Sequence, residues 1–208
     1  FLARSPLIIY GERGVGKTVF LYQLSKAFER GGFTTYLITS DFSLRDIDLP
    51  HLASQENVNI VDYLSMVDRL EALRDFLTWL DDNLSRQTVL LFDDLLPANF
   101  AIGSRIDTSH ARAFSRLLFW LGFLARMLDL PIICSTVENI RKGLPFKARF
   151  FTAYGFNLIR IVRVSRVRHF IEVRFDTQSY RYIFGEKPIF KAIFTSREII
   201  FLEKDIKN

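Results

Sequence analysis

Three glycines, a lysine and a threonine lie within eight residues near the start of this 208-residue chain, in the segment GERGVGKT from Gly11 to Thr18. Glycine accepts backbone angles that a side chain would resist, so main-chain N–H groups in such a segment can converge on one point. Apolar residues precede the segment, and apolar residues at helical spacing follow it. A strand, a glycine-rich turn and a helix N-terminus together favour phosphate binding. The alternative, a chance match in a strand-to-helix turn, does not explain this context.

The individual positions of the segment have expected roles. The Lys17 ammonium would lie against the β- and γ-phosphates, and the Thr18 hydroxyl would ligand Mg²⁺. We therefore predict ATP and Mg²⁺ as cofactors. The residues predicted to bind ATP are Gly11, Glu12, Arg13, Gly14, Val15, Gly16, Lys17, Thr18 and Val19.

Two carboxylates follow a second apolar run, TVLLF, which ends at Phe92. Asp93 stands directly at the tip of this predicted strand, where it would hold a water bound to Mg²⁺. Asp94 either contributes to the same site or caps the loop that follows. A solvated turn is the alternative for this pair, and the long apolar strand before it argues for a site.

A basic segment near the middle of the chain, NIRKGLPFKARFF, interleaves cations with phenylalanines. Cations for phosphates and aromatic rings for base stacking are typical of single-stranded nucleic-acid binding. The predicted DNA-binding residues are Arg141, Lys142, Lys147 and Arg149. A solvated loop that runs into a strand with core phenylalanines is an equal alternative. Four further arginines, 160, 163, 166 and 168, form only part of a patch, and a salt-bridged role for them is equally supported.

The apolar periodicity predicts an α/β fold over residues 1–208 as one domain. Continuous apolar runs indicate buried parallel strands, and period-two runs after residue 157 indicate antiparallel strands. A basic loop is predicted over 139–149. The predicted strands are 7–10, 34–39, 60–61, 88–92, 131–134, 158–164, 169–175, 180–184 and one or two within 190–202; the predicted helices are 17–30, 66–84 and 109–127, the last with Ser109 as its N-cap.

Composition narrows the class of protein. Hydrophobic residues make up 49% of the chain and the formal net charge is +5, which suits a folded protein and permits an anionic partner. The single cysteine, Cys134, lies in an apolar run and is predicted to be buried. The segment LLFWLGFLA is about half the ~20 residues of a membrane span. We expect a cytoplasmic protein without a membrane segment.

The chain resembles the RecA/RadA recombinase superfamily, and within it the small archaeal RadA paralogues of the RadB or RadC type. The resemblance covers nearly the whole chain and depends on the layout from DDLLPANF through SRIDTSHARAFSRLLFWLGFLARMLDLPIICST, and on the final strands. It implies a RecA-like core in which Lys17, Thr18 and Asp93 bind the nucleotide and metal. It also implies a polar sensor at Ser135 or Thr136, and DNA-facing loops after Asp94 and at 139–149.

The chain departs from the family pattern after the second predicted strand. The family places a glutamate there to activate water, whereas this chain has Ser40 followed by Asp41. Because aspartate has a shorter reach and general-base catalysis contributes roughly 10²–10⁴-fold, the resemblance implies a weak ATPase with Asp41 as the candidate base. A preceding helix-hairpin-helix domain and the Phe-x-x-Ala polymerisation motif are also missing from the sequence. The resemblance therefore implies an accessory factor in recombination and repair.

Several partners and two other functions remain as hypotheses. The predicted partners are single-stranded DNA, a RadA-type recombinase or other repair protein, and further copies of this chain. The principal alternative is a KaiC-like ATP-binding regulatory or signalling module that does not bind DNA. A scaffold that keeps ATP as a structural ligand is a third hypothesis.

Overall fold

The structure of the chain is a computed structural model with a mostly parallel α/β sheet that helices flank. The described residues are 5–39, 58–62, 78–79, 82, 84–85, 87–95, 108–139, 142–145, 148–167, 170–177, 189–194 and 199–202. The strands are β1 Leu7–Gly11, β2 Thr34–Thr39, β3 Val58–Asp62, β4 Thr88–Asp93, β5 Ile132–Asn139, β6 Leu144–Pro145, β7 Asn157–Val167, β8 Phe170–Thr177, β9 Ile189–Phe194 and β10 Ile199–Leu202. The helices discussed below are α1 Lys17–Arg30, α2 Thr108–Met127 and α3 Ala148–Ala153.

The strand order of the sheet is β10-β9-β8-β7-β1-β5-β4-β2-β3, with β6 paired to β5. Strands β7, β1, β5, β4, β2 and β3 pair in parallel, whereas β7 to β10 pair as antiparallel neighbours. The predicted parallel core with an antiparallel extension is therefore confirmed. Strand β1 lies between β5 and β7, so the loop after β1 opens at the centre of the sheet.

The two faces of the sheet pack against different helices. On the α1 face, Ile9, Leu37 and Leu91 pack with Leu21 of the helix. On the α2 face, Ile8, Phe92 and Cys134 pack with Leu117 and Leu121. Every residue of β4 is buried because both faces of the sheet are covered. A two-sided cover explains why the central strands read as continuous apolar runs.

The aromatic segment predicted to be a buried helix is the second half of α2. Only one face of this helix is buried, and Phe119, Trp120 and Phe123 on the other face are exposed. Among the residues that the structure describes, no helix has both the length and the apolarity that a membrane crossing requires. Helix α2 already begins at Thr108, so Ser109 lies inside it and the predicted N-cap position is wrong.

The segment predicted as a basic loop is partly ordered secondary structure. Strand β5 continues to Asn139, the turn closes through hydrogen bonds from the Lys142 and Gly143 N–H groups to the Asn139 carbonyl, and β6 pairs back onto β5. Helix α3 then replaces the strand predicted for Phe150 and Phe151. Most of the predicted helix 66–84 and all of the predicted strand 180–184 lie outside the described residues.

Candidate functional site

The segment between β1 and α1 forms a tight loop whose turns depend on glycine. Gly14 has φ 69° and Gly16 has φ 99°, both in the left-handed region that side chains resist. Gly16 is also the N-cap of α1, and no side chain caps the first turn of the helix. Val15, which is only 1% exposed, packs in the core beneath the loop. The loop thus directs an uncapped helix N-terminus, with its partial positive charge, toward one point.

Gly11 is required for a different reason from the other two glycines. Its φ is not positive, but a Cβ at this position would collide with the main-chain carbonyl oxygen of Ile161 in β7. Our expectation that all three glycines supply unusual backbone angles is therefore wrong for Gly11. Close approach of β7 to the end of β1 explains the glycine, and this contact is invisible in the local sequence.

Lys17 places a buried ammonium inside the loop. The side chain is only 8% exposed, and Nζ donates to the carbonyl oxygens of Gly11 at 3.1 Å and Glu12 at 2.8 Å. Burial lowers the pKa of Lys17 below its ordinary value of 10.5, while the nearby carboxylates of Asp94 and Asp93 act in the opposite direction. A desolvated cation beside an uncapped helix N-terminus is suited to a phosphate group.

The acidic residue of the second motif meets the loop directly. Thr18 Oγ1 donates to Asp93 Oδ2 at 2.9 Å, although 75 residues separate the two in the chain. Asp93 is only 3% exposed, at the carboxyl end of β4. The two motifs that we singled out in the sequence are therefore brought together at one edge of the sheet.

Ser135 orients the carboxylate of Asp93. Its hydroxyl donates to Asp93 Oδ1 at 2.8 Å and accepts a hydrogen bond from the Asp94 N–H at 2.8 Å. Asp94 has φ 56°, so the chain turns sharply out of β4 at this point. The Leu95 N–H adds a hydrogen bond of 2.9 Å to the Ser135 carbonyl. Strand β5 thus holds the loop after Asp93 through both the side chain and the main chain of Ser135.

The sequence left the polar sensor open between Ser135 and Thr136, and the structure brings only Ser135 to the acid. Because side chains alternate along a strand, Thr136 lies on the same side of β5 as Cys134, which packs on the α2 face. Thr136 is 1% exposed and its Oγ1 is buried without a hydrogen-bond partner. The assignment of Thr136 as a catalytic residue is therefore not supported by its position.

An arginine that the motifs did not identify also contacts the loop. Arg163 in β7 donates from Nη2 to the Gly14 carbonyl oxygen at 2.7 Å, and its Nε is buried without a hydrogen-bond partner. Arg160 on the same strand instead forms a bidentate ion pair with the buried Glu138, with Nε to Oε2 at 3.1 Å. The salt-bridged alternative is confirmed for Arg160. Only the pairing of β7 beside β1 reveals the role of Arg163.

The predicted DNA-binding residues are only partly described. Lys142 is exposed in the turn before β6, and Arg149 is exposed on α3. Phe151 is fully buried, with its ring centroid 6.2 Å from that of Phe114, so it is unavailable for base stacking. Phe150 is 38% exposed. Arg141 and Lys147 lie outside the described residues, as do Ser40 and the candidate base Asp41.

The ligands available for a metal match Mg²⁺ bound together with a nucleotide. Among the described residues, no group of three or more His, Cys, Asp or Glu side chains could hold a metal ion. Thr18 and Asp93 supply one hydroxyl and one carboxylate at 2.9 Å from each other. Mg²⁺ is usually held by one or two carboxylates together with substrate phosphates and waters. The donor set therefore fits a Mg²⁺–nucleotide complex and does not fit a protein-only metal cage.

Comparison with known proteins supports the fold. No family model matches the chain, and no curated protein matches it. A KaiC-like protein from the hyperthermophilic archaeon Pyrococcus horikoshii OT3 superposes with a TM-score of 0.66 and 15% identity, covering 96% of this chain and 90% of that protein. The ATPase domain of a DnaB-like helicase superposes with a TM-score of 0.63 and 15% identity, covering 98% of this chain and 86% of that domain. The chain has the fold of RecA-like ATPase domains.

Proposed function

We propose that this chain binds ATP with Mg²⁺ in the loop from Gly11 to Thr18 and hydrolyses it slowly. The observation that carries this proposal is the hydrogen bond between Thr18 and Asp93, beside the buried ammonium of Lys17. These groups come from the two sequence motifs expected of a nucleotide site, and they meet at the carboxyl edge of a parallel sheet. Ligands of open α/β sheets bind at this edge.

Each residue of the site has a distinct part in the proposed activity. Lys17 would neutralise phosphate charge, and the N–H groups of the first turn of α1 would donate to phosphate oxygens. Thr18 and Asp93 would hold Mg²⁺, which offsets negative charge on the phosphates. Ser135 keeps the Asp93 carboxylate in one orientation. The expected slow hydrolysis follows from Ser40 and Asp41 standing where the resembled family has a glutamate.

We further propose that the chain is an accessory factor in DNA recombination and repair, similar to the archaeal RadA paralogues. The RecA-like fold and the exposed cations Lys142 and Arg149 support a role in contacting single-stranded DNA or a RadA-type recombinase. A KaiC-like regulatory module is the second candidate, and the likeness to the Pyrococcus horikoshii KaiC-like protein favours it equally. The two candidates differ in whether the protein binds DNA.

Nucleotide binding is tested by calorimetry and thermal protection with Mg-ATP. We expect a saturable heat and a raised melting temperature for the wild type, and neither for Lys17→Ala or Asp93→Asn. Val164→Ala, an exposed site on β7, is the matched control and should keep both signals. A wild-type protein that is folded by circular dichroism but shows no heat and no protection would exclude the nucleotide site.

The biological role is tested by titration with single-stranded DNA, with and without Mg-ATP, while phosphate release is measured. The accessory-factor proposal predicts salt-dependent binding that the charge reversals Lys142→Glu and Arg149→Glu weaken. Arg30→Glu reverses an exposed charge at the end of α1 and serves as the control. Nucleotide binding with no DNA affinity at low salt would select the KaiC-like alternative.

A further inference from the structure

The solvent face of α2 carries an unusual amount of exposed apolar surface. Phe119 is 52% exposed, Trp120 40%, Phe123 39% and Met127 66%. The opposite face packs into the core through Leu117, Leu118, Leu121, Leu124 and Ala125. The exposed residues are thus not the edge of the buried face but a second apolar surface on the same helix. Contiguous exposed surfaces of this kind mark interaction sites.

The aromatic rings of this surface contact one another. The Trp120 and Phe123 ring centroids are 5.5 Å apart at 86°, and those of Phe119 and Phe123 are 6.4 Å apart at 18°. At about 100° per residue, Arg112 and Arg116 fall on the same side of the helix as these rings, and both arginines are exposed. We call Arg112, Arg116, Phe119, Trp120, Phe123 and Met127 together the α2 stripe.

The α2 stripe changes character along the helix. Its N-terminal half presents the two guanidinium groups, and its C-terminal half presents the aromatic rings and Met127. A stripe of this kind is complementary to its own reverse. Two copies that meet antiparallel, about a point between residues 119 and 120, oppose Arg112 to Met127, Arg116 to Phe123 and Phe119 to Trp120. A guanidinium over an aromatic face is an attractive cation–π contact, and Arg forms it more often than Lys.

We propose that the α2 stripe is the interface of a two-fold homodimer of this chain. An interface of this symmetry uses the same surface on both copies and must be self-complementary, as the stripe is. A parallel arrangement would instead place the arginines of one copy against those of the other. Because α1 and the phosphate loop pack on the opposite face of the sheet, dimerisation leaves the candidate nucleotide site open. The proposal does not depend on nucleotide binding.

The oligomeric state is tested by sedimentation equilibrium without nucleotide. We expect a reversible dimer for the wild type and an increase of at least about tenfold in its dissociation constant for Arg116→Glu, because each dimer then loses two cation–π contacts. Arg116→Lys should retain most of the association. Arg30→Glu and Val164→Ala alter exposed residues outside the stripe and should leave the constant unchanged. Mg-ATP protection of each variant, or circular dichroism, shows that it is folded.

The antiparallel register is tested by disulfide formation. In the double variant Arg112→Cys with Met127→Cys, the two positions are 15 residues or about 22 Å apart along one helix, so only a bond between copies can form. We expect a covalent dimer from the double variant and none from either single variant, since the native Cys134 is buried. A wild type that is monomeric at high concentration would overturn the proposal. So would a dimer that neither Arg116→Glu nor the cysteine pair affects, or a monomer that binds only an acidic amphipathic peptide.

Discussion

Replacement of Ser135 by alanine tests how strongly the structure organises the acidic end of the site. The hydroxyl donates to a buried carboxylate oxygen of Asp93 and accepts from the Asp94 N–H, each at 2.8 Å. Ser135→Ala removes both hydrogen bonds and leaves a cavity too small to restore them with direct protein contacts. Asp93 then keeps only its hydrogen bond from Thr18 among those described above.

The size of the effect follows from the charges and burial of the partners. A hydrogen bond to a charged group contributes about 1.5–3 kcal/mol, and an unsatisfied buried N–H costs about 1–3 kcal/mol. Because the Asp94 N–H is only partly buried, we expect the free energy of unfolding to fall by about 2–4 kcal/mol. The midpoint of thermal unfolding would then fall by roughly 4–16 °C for a chain of this size. Mg-ATP affinity should fall as well, because the Asp93 carboxylate is no longer held in one orientation.

Thr136→Val is the matched control for this experiment, since it removes a hydroxyl from the neighbouring residue of the same strand. The Thr136 hydroxyl is buried without a partner, so the near-isosteric valine should raise the free energy of unfolding by about 1 kcal/mol. Both variants are measured by urea denaturation and by calorimetry with Mg-ATP. The reasoning fails if Ser135→Ala is as stable as the wild type, or if Thr136→Val is the variant that loses nucleotide affinity.

Three further predictions concern the loop itself. Lys17→Met should raise the free energy of unfolding at neutral pH, because burial lowers the pKa of Lys17 and the charged form is therefore less favourable in the folded protein than in the unfolded one. The unfolded chain binds more protons between the folded-state pKa and 10.5, so wild-type stability rises with pH there and the gain from Lys17→Met should shrink; urea denaturation between pH 7 and 10.5 measures this, and a gain that grows with pH contradicts it. Arg163→Met should weaken Mg-ATP binding about three- to tenfold by calorimetry, since an exposed charged hydrogen bond contributes of the order of 1 kcal/mol, and Arg163→Lys should be intermediate; equal affinities would show that the Gly14 contact has no function. Gly11→Ala should lower the free energy of unfolding by about 1–3 kcal/mol because a Cβ meets the Ile161 carbonyl, and an unchanged urea midpoint would contradict the close packing of β7 on the loop.

Some of the sequence predictions could not have resolved the site further. Strand alternation places neighbouring residues on opposite faces, but the sequence does not say which face carries α1. The choice between Ser135 and Thr136 therefore stayed open until β5 was paired with β1 and β4. The segment 139–149 was predicted as a loop because its glycine, proline and cations resemble loop composition, whereas Phe151 requires a helix here so that its ring reaches the core.

The sequence by itself determined the elements whose cause is local. The spacing of Gly14, Gly16, Lys17 and Thr18 predicts the loop because backbone angles, helix termini and side-chain reach act over a few residues. Continuous apolar runs predict β1 and β4, since strands covered on both faces need no alternation. Only the tertiary structure decided the contacts between distant strands: Thr18 with Asp93, Ser135 with Asp93, and Arg163 with the loop. These depend on which strands become neighbours and on their register, and that order is set by packing of the whole sheet and not by any local pattern.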